Sequence, residues 1–96
     1  MVSFSYRPLA KGLTIRQSSV DGLGLFSTTR WSPAKMLGET HFLVENEWKR
    51  TPLGGFINHS DEPNCVIITN NDIRTLYTVK PIDPGEELTI FYTLNQ

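Results

Sequence analysis

The sequence predicts a small domain that is mostly β. Short runs of β-branched and aromatic residues recur along the chain, each bounded by Gly, Pro, Asn or Asp. Helix signals are few and broken. The 96 residues suit one domain, taken as residues 1–96, and leave no room for two.

The elements follow in order. Leu13 to Arg16 is a short strand after the loop residues Lys11 and Gly12. Gly24 to Ser27 is a second, and Thr40 to Val44 a third, after a turn at Leu37 and Gly38. Glu45 to Lys49 could form one helical turn, which Pro52, Gly54 and Gly55 would stop. Ser60 to Asn64 reads as a loop. Cys65 to Thr69 and Ile73 to Val79 form the clearest hairpin. Asn70, Asn71 and Asp72 between them suit a tight turn and tolerate positive φ. Pro81, Pro84 and Gly85 break the chain before a last strand, Leu88 to Tyr92.

Composition narrows the function. Hydrophobic residues make up 39% and the net charge is −1, which argues for a globular domain and against a general nucleic-acid binder. Residues 61–96 hold most of the acid, so an acidic face could attract a basic peptide. Cys65 is the only cysteine, so thiolates cannot build a zinc cluster and no intramolecular disulfide can form. No apolar run approaches a membrane span, and the N-terminus lacks an apolar signal core. The expected compartment is a reducing cytoplasm, or a host-cell interior if the source is viral.

Three segments carry chemistry. In Asp21-Gly22-Leu23-Gly24-Leu25-Phe26, two glycines let the backbone turn sharply and approach a ligand. Alone, a plain β-turn explains this segment better. In Asn58-His59-Ser60-Asp61-Glu62-Pro63-Asn64-Cys65, polar side chains follow an apolar pair and could line a pocket, with Asn58 offering both donors and an acceptor. In Gly85-Glu86-Glu87-Leu88-Thr89-Ile90-Phe91-Tyr92, the adjacent acids point to opposite faces of a strand, which argues against a catalytic pair. Tyr92 ends that apolar run, so its ring can be buried with its hydroxyl at a cavity.

Together, in this order, the three segments resemble the SET domain family. The first is similar to its Gly-x-Gly motif. The second matches Asn-His-Ser-x-x-Pro-Asn-Cys at Asn58, His59, Ser60, Pro63, Asn64 and Cys65. The third matches Gly-Glu-Glu-Leu-Thr-x-x-Tyr at Gly85 through Thr89 and at Tyr92. The resemblance runs from about Leu13 to Tyr92. It implies small curved sheets of β-clip type with a C-terminal pseudoknot. It also implies S-adenosylmethionine as cofactor and a lysine of a protein or peptide as substrate. By resemblance, the backbone of Gly22, Leu23, Gly24 and Leu25, with Asn58 and the backbone of His59, holds the cofactor. Tyr92 is the catalytic tyrosine beside the methyl group.

The sequence also departs from the family pattern. Asp61 stands where many members carry a zinc-binding cysteine, the sequence stops at Gln96 without a cysteine-rich tail, and the insert between Phe26 and Asn58 is short. No metal is expected. The lysine channel would be open on one side, to be closed by a second copy in a possible homodimer or by the substrate, or else turnover is poor. A second reading, favoured by these losses, is a non-catalytic module that binds peptide or cofactor; the retained Asn58 and Tyr92 favour the enzyme.

Overall fold

The computed structural model describes residues 9–20 and 22–92. Among the described residues, two four-stranded sheets make the fold. The first sheet contains β1 (Leu13–Gln17), β2 (Leu23–Ser27), β5 (Asn58–His59) and β8 (Glu87–Ile90), in the order β1-β2-β8-β5. The second contains β3 (Met36–Val44), β4 (Glu47–Arg50), β6 (Cys65–Asn70) and β7 (Ile73–Thr78), in the order β4-β3-β7-β6. One short helix, α1 (Pro52–Phe56), links β4 to β5. Among the described residues, all pairings are antiparallel except β5 with β8.

Alternation explains the core. Along β7, Leu76 and Thr78 are buried while Ile73 is exposed, the period expected of a strand with one covered face. Leu25, Leu88 and Ile90 from the first sheet join Leu37 and Leu76 from the second in one cluster. Leu13, Leu53 of α1, Ile57, Cys65 and Ile82 complete it. An isolated bridge between Trp31 and Ile82 ties the loops after β2 and β7 together.

The hairpin expected around Asn71 is present. Asn70 pairs with Ile73, and Asn71 takes the positive φ of 55° that its side chain tolerates. Three other expectations need correction. The turn placed at Leu37 and Gly38 lies inside β3, where the register slips between Met36 and Gly38 and Leu37 is buried; a bulge, not a turn, absorbs the irregularity. The helical turn placed at Glu45 to Lys49 is instead a hairpin. Val44 pairs with Glu47, and Glu45 and Asn46 both take positive φ, as a tight two-residue turn requires.

The breakers Pro52, Gly54 and Gly55 themselves form α1. Thr51 caps it by accepting from Gly54 N at 3.3 Å, and Pro52 sits in the first turn, where no N–H is needed. Gly54 packs so closely on the Thr40 carbonyl that any Cβ would overlap it. The Asn58 segment therefore follows a helix. The C-terminal pseudoknot is not shown by the described residues. They show β8 lying between β2 and β5, with its C-terminal end running into Tyr92.

Candidate functional site

The site forms where β5 runs parallel to β8. Asn58 is aligned with Thr89 and His59 with Ile90, and Ser60 N donates to Ile90 O at 2.9 Å. The loop after β5 is tied to the same strand by one side chain. Asn64 Nδ2 donates to Glu87 O at 2.9 Å, and Thr89 N donates to Asn64 Oδ1 at 2.9 Å. One amide thus satisfies a donor and an acceptor of the β8 backbone, as a neighbouring strand would.

On one side of this junction lies a polar network. Asn58 Nδ2 donates to the Glu87 carboxylate at 2.8 Å and to Leu23 O at 3.2 Å. Ser18 Oγ lies 2.7 and 2.9 Å from the two carboxylate oxygens of Glu87. Gly24 faces the same carboxylate, and an added Cβ there would run into it. Glu86 points elsewhere, accepting from Asp83 N at 3.0 Å. The two adjacent acids do separate, Glu87 opening β8 and Glu86 closing the turn before it.

On the other side lies Tyr92. Its backbone N donates to His59 Nδ1 at 2.9 Å, while His59 Nε2 lies 3.0 Å from the Asp61 carboxylate. With Nδ1 accepting, the ring hydrogen sits on Nε2 and is donated to Asp61. The His59 ring stacks on Tyr92 at 6.1 Å between centroids and meets Phe91 at 4.9 Å. The Tyr92 hydroxyl donates to the Ile57 carbonyl, one residue before Asn58. Burial pushes its pKa up, only partly offset by the nearby Arg50 charge, so the hydroxyl stays protonated. Its oxygen keeps lone pairs for another group.

Beside Phe91 opens an apolar cavity of about 220 Å³, lined also by Pro63, Cys65, Val66, Ile67, Val79 and Ile90. Burial pushes the Cys65 thiol up to about 12, so the cavity wall is a thiol rather than a thiolate nucleophile. Among the described residues, no group of three or more His, Cys, Asp or Glu is placed to hold a metal ion.

The model of the SET domain matches residues 17–93 of the chain, a span that contains the whole site. The chain belongs to the SET domain family.

Curated relatives and solved structures agree with that placement. Histone-lysine N-methyltransferase SMYD3 of Homo sapiens is 34% identical over 64 residues, 62% of this SET domain chain and 15% of that protein. The Mus musculus protein of the same name is 46% identical over 41 residues, 43% of this chain and 10% of that protein. This SET domain chain therefore spans a small part of either relative.

Solved structures give the same fold. The methyltransferase domain of human PR domain-containing protein 2 has a TM-score of 0.67 at 21% identity, over 88% of this chain and 79% of that one. A candidate histone methyltransferase of Plasmodium falciparum has a TM-score of 0.71 at 22% identity, over 88% and 96%. The ctPRC2 structure in complex with H3K27me3 and H3K27M has a TM-score of 0.73 at 22% identity, over 90% and 15%.

The fold of this SET domain brings most of the residues singled out in sequence into one neighbourhood. Leu23 and Gly24 lie against the Asn58–Glu87 network. Gly22 turns the chain just before them, and its carbonyl accepts from Ser18 N at 2.8 Å. Leu25 differs, because its side chain is in the core and only its backbone is available. Asp21 lies outside the described residues. Ser18 was not legible in the sequence, since nothing marks a serine before a turn as the partner of a glutamate 69 residues later. Glu87 lay within a matched motif, but its role in orienting Asn58 appears only in three dimensions.

Proposed function

We propose that this SET domain is a protein lysine methyltransferase that uses S-adenosylmethionine. The observation that carries the reading is the parallel β5–β8 pairing, which sets Asn58 and His59 beside the strand leading into Tyr92. The names of the SMYD3 relatives support it. So does the ctPRC2 fold neighbour solved with H3K27me3, which argues for a protein or peptide substrate.

The residues present fit the cofactor by their chemistry. It is a sulfonium with an ammonium group, and it supplies the methyl when bound. Facing its proposed place are the Glu87 carboxylate and the main chain from Gly22 to Leu25. Asn58, with its orientation fixed by Glu87 and Leu23 O, and the backbone of His59 would complete the cradle. Only Gly24 leaves room at the carboxylate.

The lysine would reach the site beside Tyr92, whose ring stacks on His59. A free lysine amine has a pKa of about 10.4 and is mostly protonated at neutral pH. Apolar walls near a sulfonium disfavour the ammonium form and so help release the proton. The Tyr92 hydroxyl, anchored on the Ile57 carbonyl, then offers its oxygen to orient the amine for in-line attack. This division of labour needs no dedicated base. The same reading places the reaction in a reducing cell interior, in keeping with one buried, protonated cysteine.

Transfer of tritium from labelled cofactor to a mixture of basic proteins tests the proposal. Incorporation by the parent protein and its loss in Tyr92→Phe are the expected result. Cofactor binding without incorporation would instead favour the non-catalytic module.

A further inference from the structure

The second sheet carries a row of basic side chains. His41 on β3 pairs with Arg74 on β7 at one side and with Arg50 on β4 at the other. Residues directly opposite in antiparallel strands share a face, so all three basic groups stand side by side. Burial, and then the Arg74 and Arg50 charges, lower the His41 pKa, so the imidazole stands neutral between two guanidinium charges. Trp48 lies against the same row. The Arg74 guanidinium sits 4.1 Å from its ring centroid, and the His41 ring meets it edge-on at 6.5 Å.

Among the described residues, no carboxylate lies within ion-pair distance of Arg50 or Arg74. The nearby acid Glu47 is bound to Lys49 at 2.7 Å. The Nε of Arg74 is buried and has no hydrogen-bond partner. A buried unpaired donor on a charged group is costly, so an acceptor brought to this guanidinium would stabilise it. The ring of Trp48 neutralises one face of Arg74 but cannot accept at Nε.

We propose that Arg74, Arg50 and His41, backed by Trp48, form a binding site for an oxyanion, a carboxylate or a phosphate. A guanidinium presents its N–H groups in a planar fork that matches two oxygens of such a group. Arg74 is half-buried and fixed by the indole, so its fork is preorganised, while Arg50 is exposed and can close on the ligand. Resting on the methyltransferase reading, the anion would be an acidic or phosphorylated side chain of the protein substrate. The site itself does not depend on that reading.

Trp48 is the built-in probe. Its emission is to be followed at constant ionic strength while chloride is exchanged for inorganic phosphate, and separately for acetate, in a Trp31→Phe background. If Trp31→Phe does not fold, the indole N–H resonance of Trp48 in the parent protein serves instead. The expected result is a saturable change, weakened at least about tenfold in Arg50→Gln, which removes one charged hydrogen-bond donor. Arg50 is exposed, so this variant keeps the fold. Saturation by phosphate alone assigns the site to phosphate; saturation by acetate as well opens it to carboxylates. No saturable change with either anion, or an equal response in Arg50→Gln, overturns the proposal. Neither readout uses methyl transfer, so a failure here leaves the proposed activity untouched.

Discussion

Asn58 donates through its side-chain amide to the Glu87 carboxylate at 2.8 Å, and Gly24 is the residue that leaves room for that carboxylate. Gly24→Ala therefore tests the network. The strand should survive, because Gly24 sits in regular β2 pairing with Arg16. The added methyl must push Glu87 away from Asn58 and Ser18. We expect a folded protein whose cofactor affinity falls at least about tenfold, one lost charged hydrogen bond's worth. Thermal shift with S-adenosylmethionine reads this. For the parent, a hundredfold excess over the dissociation constant adds about 2.7 kcal/mol. An unchanged shift in Gly24→Ala would remove the glycine from the cofactor site.

Asn64→Ala tests what holds β8 in place. The substitution strips partners from Thr89 N and Glu87 O at once. Thr89 is buried. A loss of about 2–4 kcal/mol is expected from two bonds that water replaces poorly, read by denaturant unfolding. Asn64→Asp should recover the Thr89 bond but not the other. Stability within about 0.5 kcal/mol of the parent in Asn64→Ala would reduce Asn64 to a turn residue.

The buried Cys65 thiol gives the protein an alkaline slope. Its folded pKa is raised from 9.0 to about 12 by burial, so the unfolded state loses its proton first. With fewer protons bound in the unfolded state, stability falls as pH rises above about 9, and the fall continues toward 12. Below 9 the thiol contributes no slope. Unfolding curves at pH 8 and pH 10 should show a steeper loss in the parent than in Cys65→Ala, although the cavity lowers the variant's stability throughout. Parallel slopes would contradict the assignment.

The same contrasts explain how much could be read without coordinates. The β6–β7 hairpin was legible because Asn71 carries its own turn chemistry. The β3–β4 hairpin was not, because Glu45 and Asn46 take positive φ without a glycine to announce it. Helix α1 was hidden by residues that normally end helices; its cap on Thr51 and the contact of Gly54 with Thr40 O are tertiary facts. At the site, Asn58 and Tyr92 stood out through motifs. Ser18, the orienting role of Glu87 and the row formed by Arg74, His41 and Arg50 depend on strand register, which no local pattern encodes.

The account rests most directly on the Tyr92 hydroxyl, and one comparison tests it: methyl transfer by the parent and by Tyr92→Phe, at saturating cofactor, with melting point and cofactor affinity measured alongside. The ring stack on His59 and the backbone bond to its Nδ1 do not need the hydroxyl, so the variant should fold with at most about 1 kcal/mol lost. Cofactor affinity should be nearly unchanged, and turnover should drop on the order of 10²-fold, as when one well-placed polar contact at a reacting centre is removed. A variant that folds, binds cofactor and transfers methyl at the parent's rate would contradict the account.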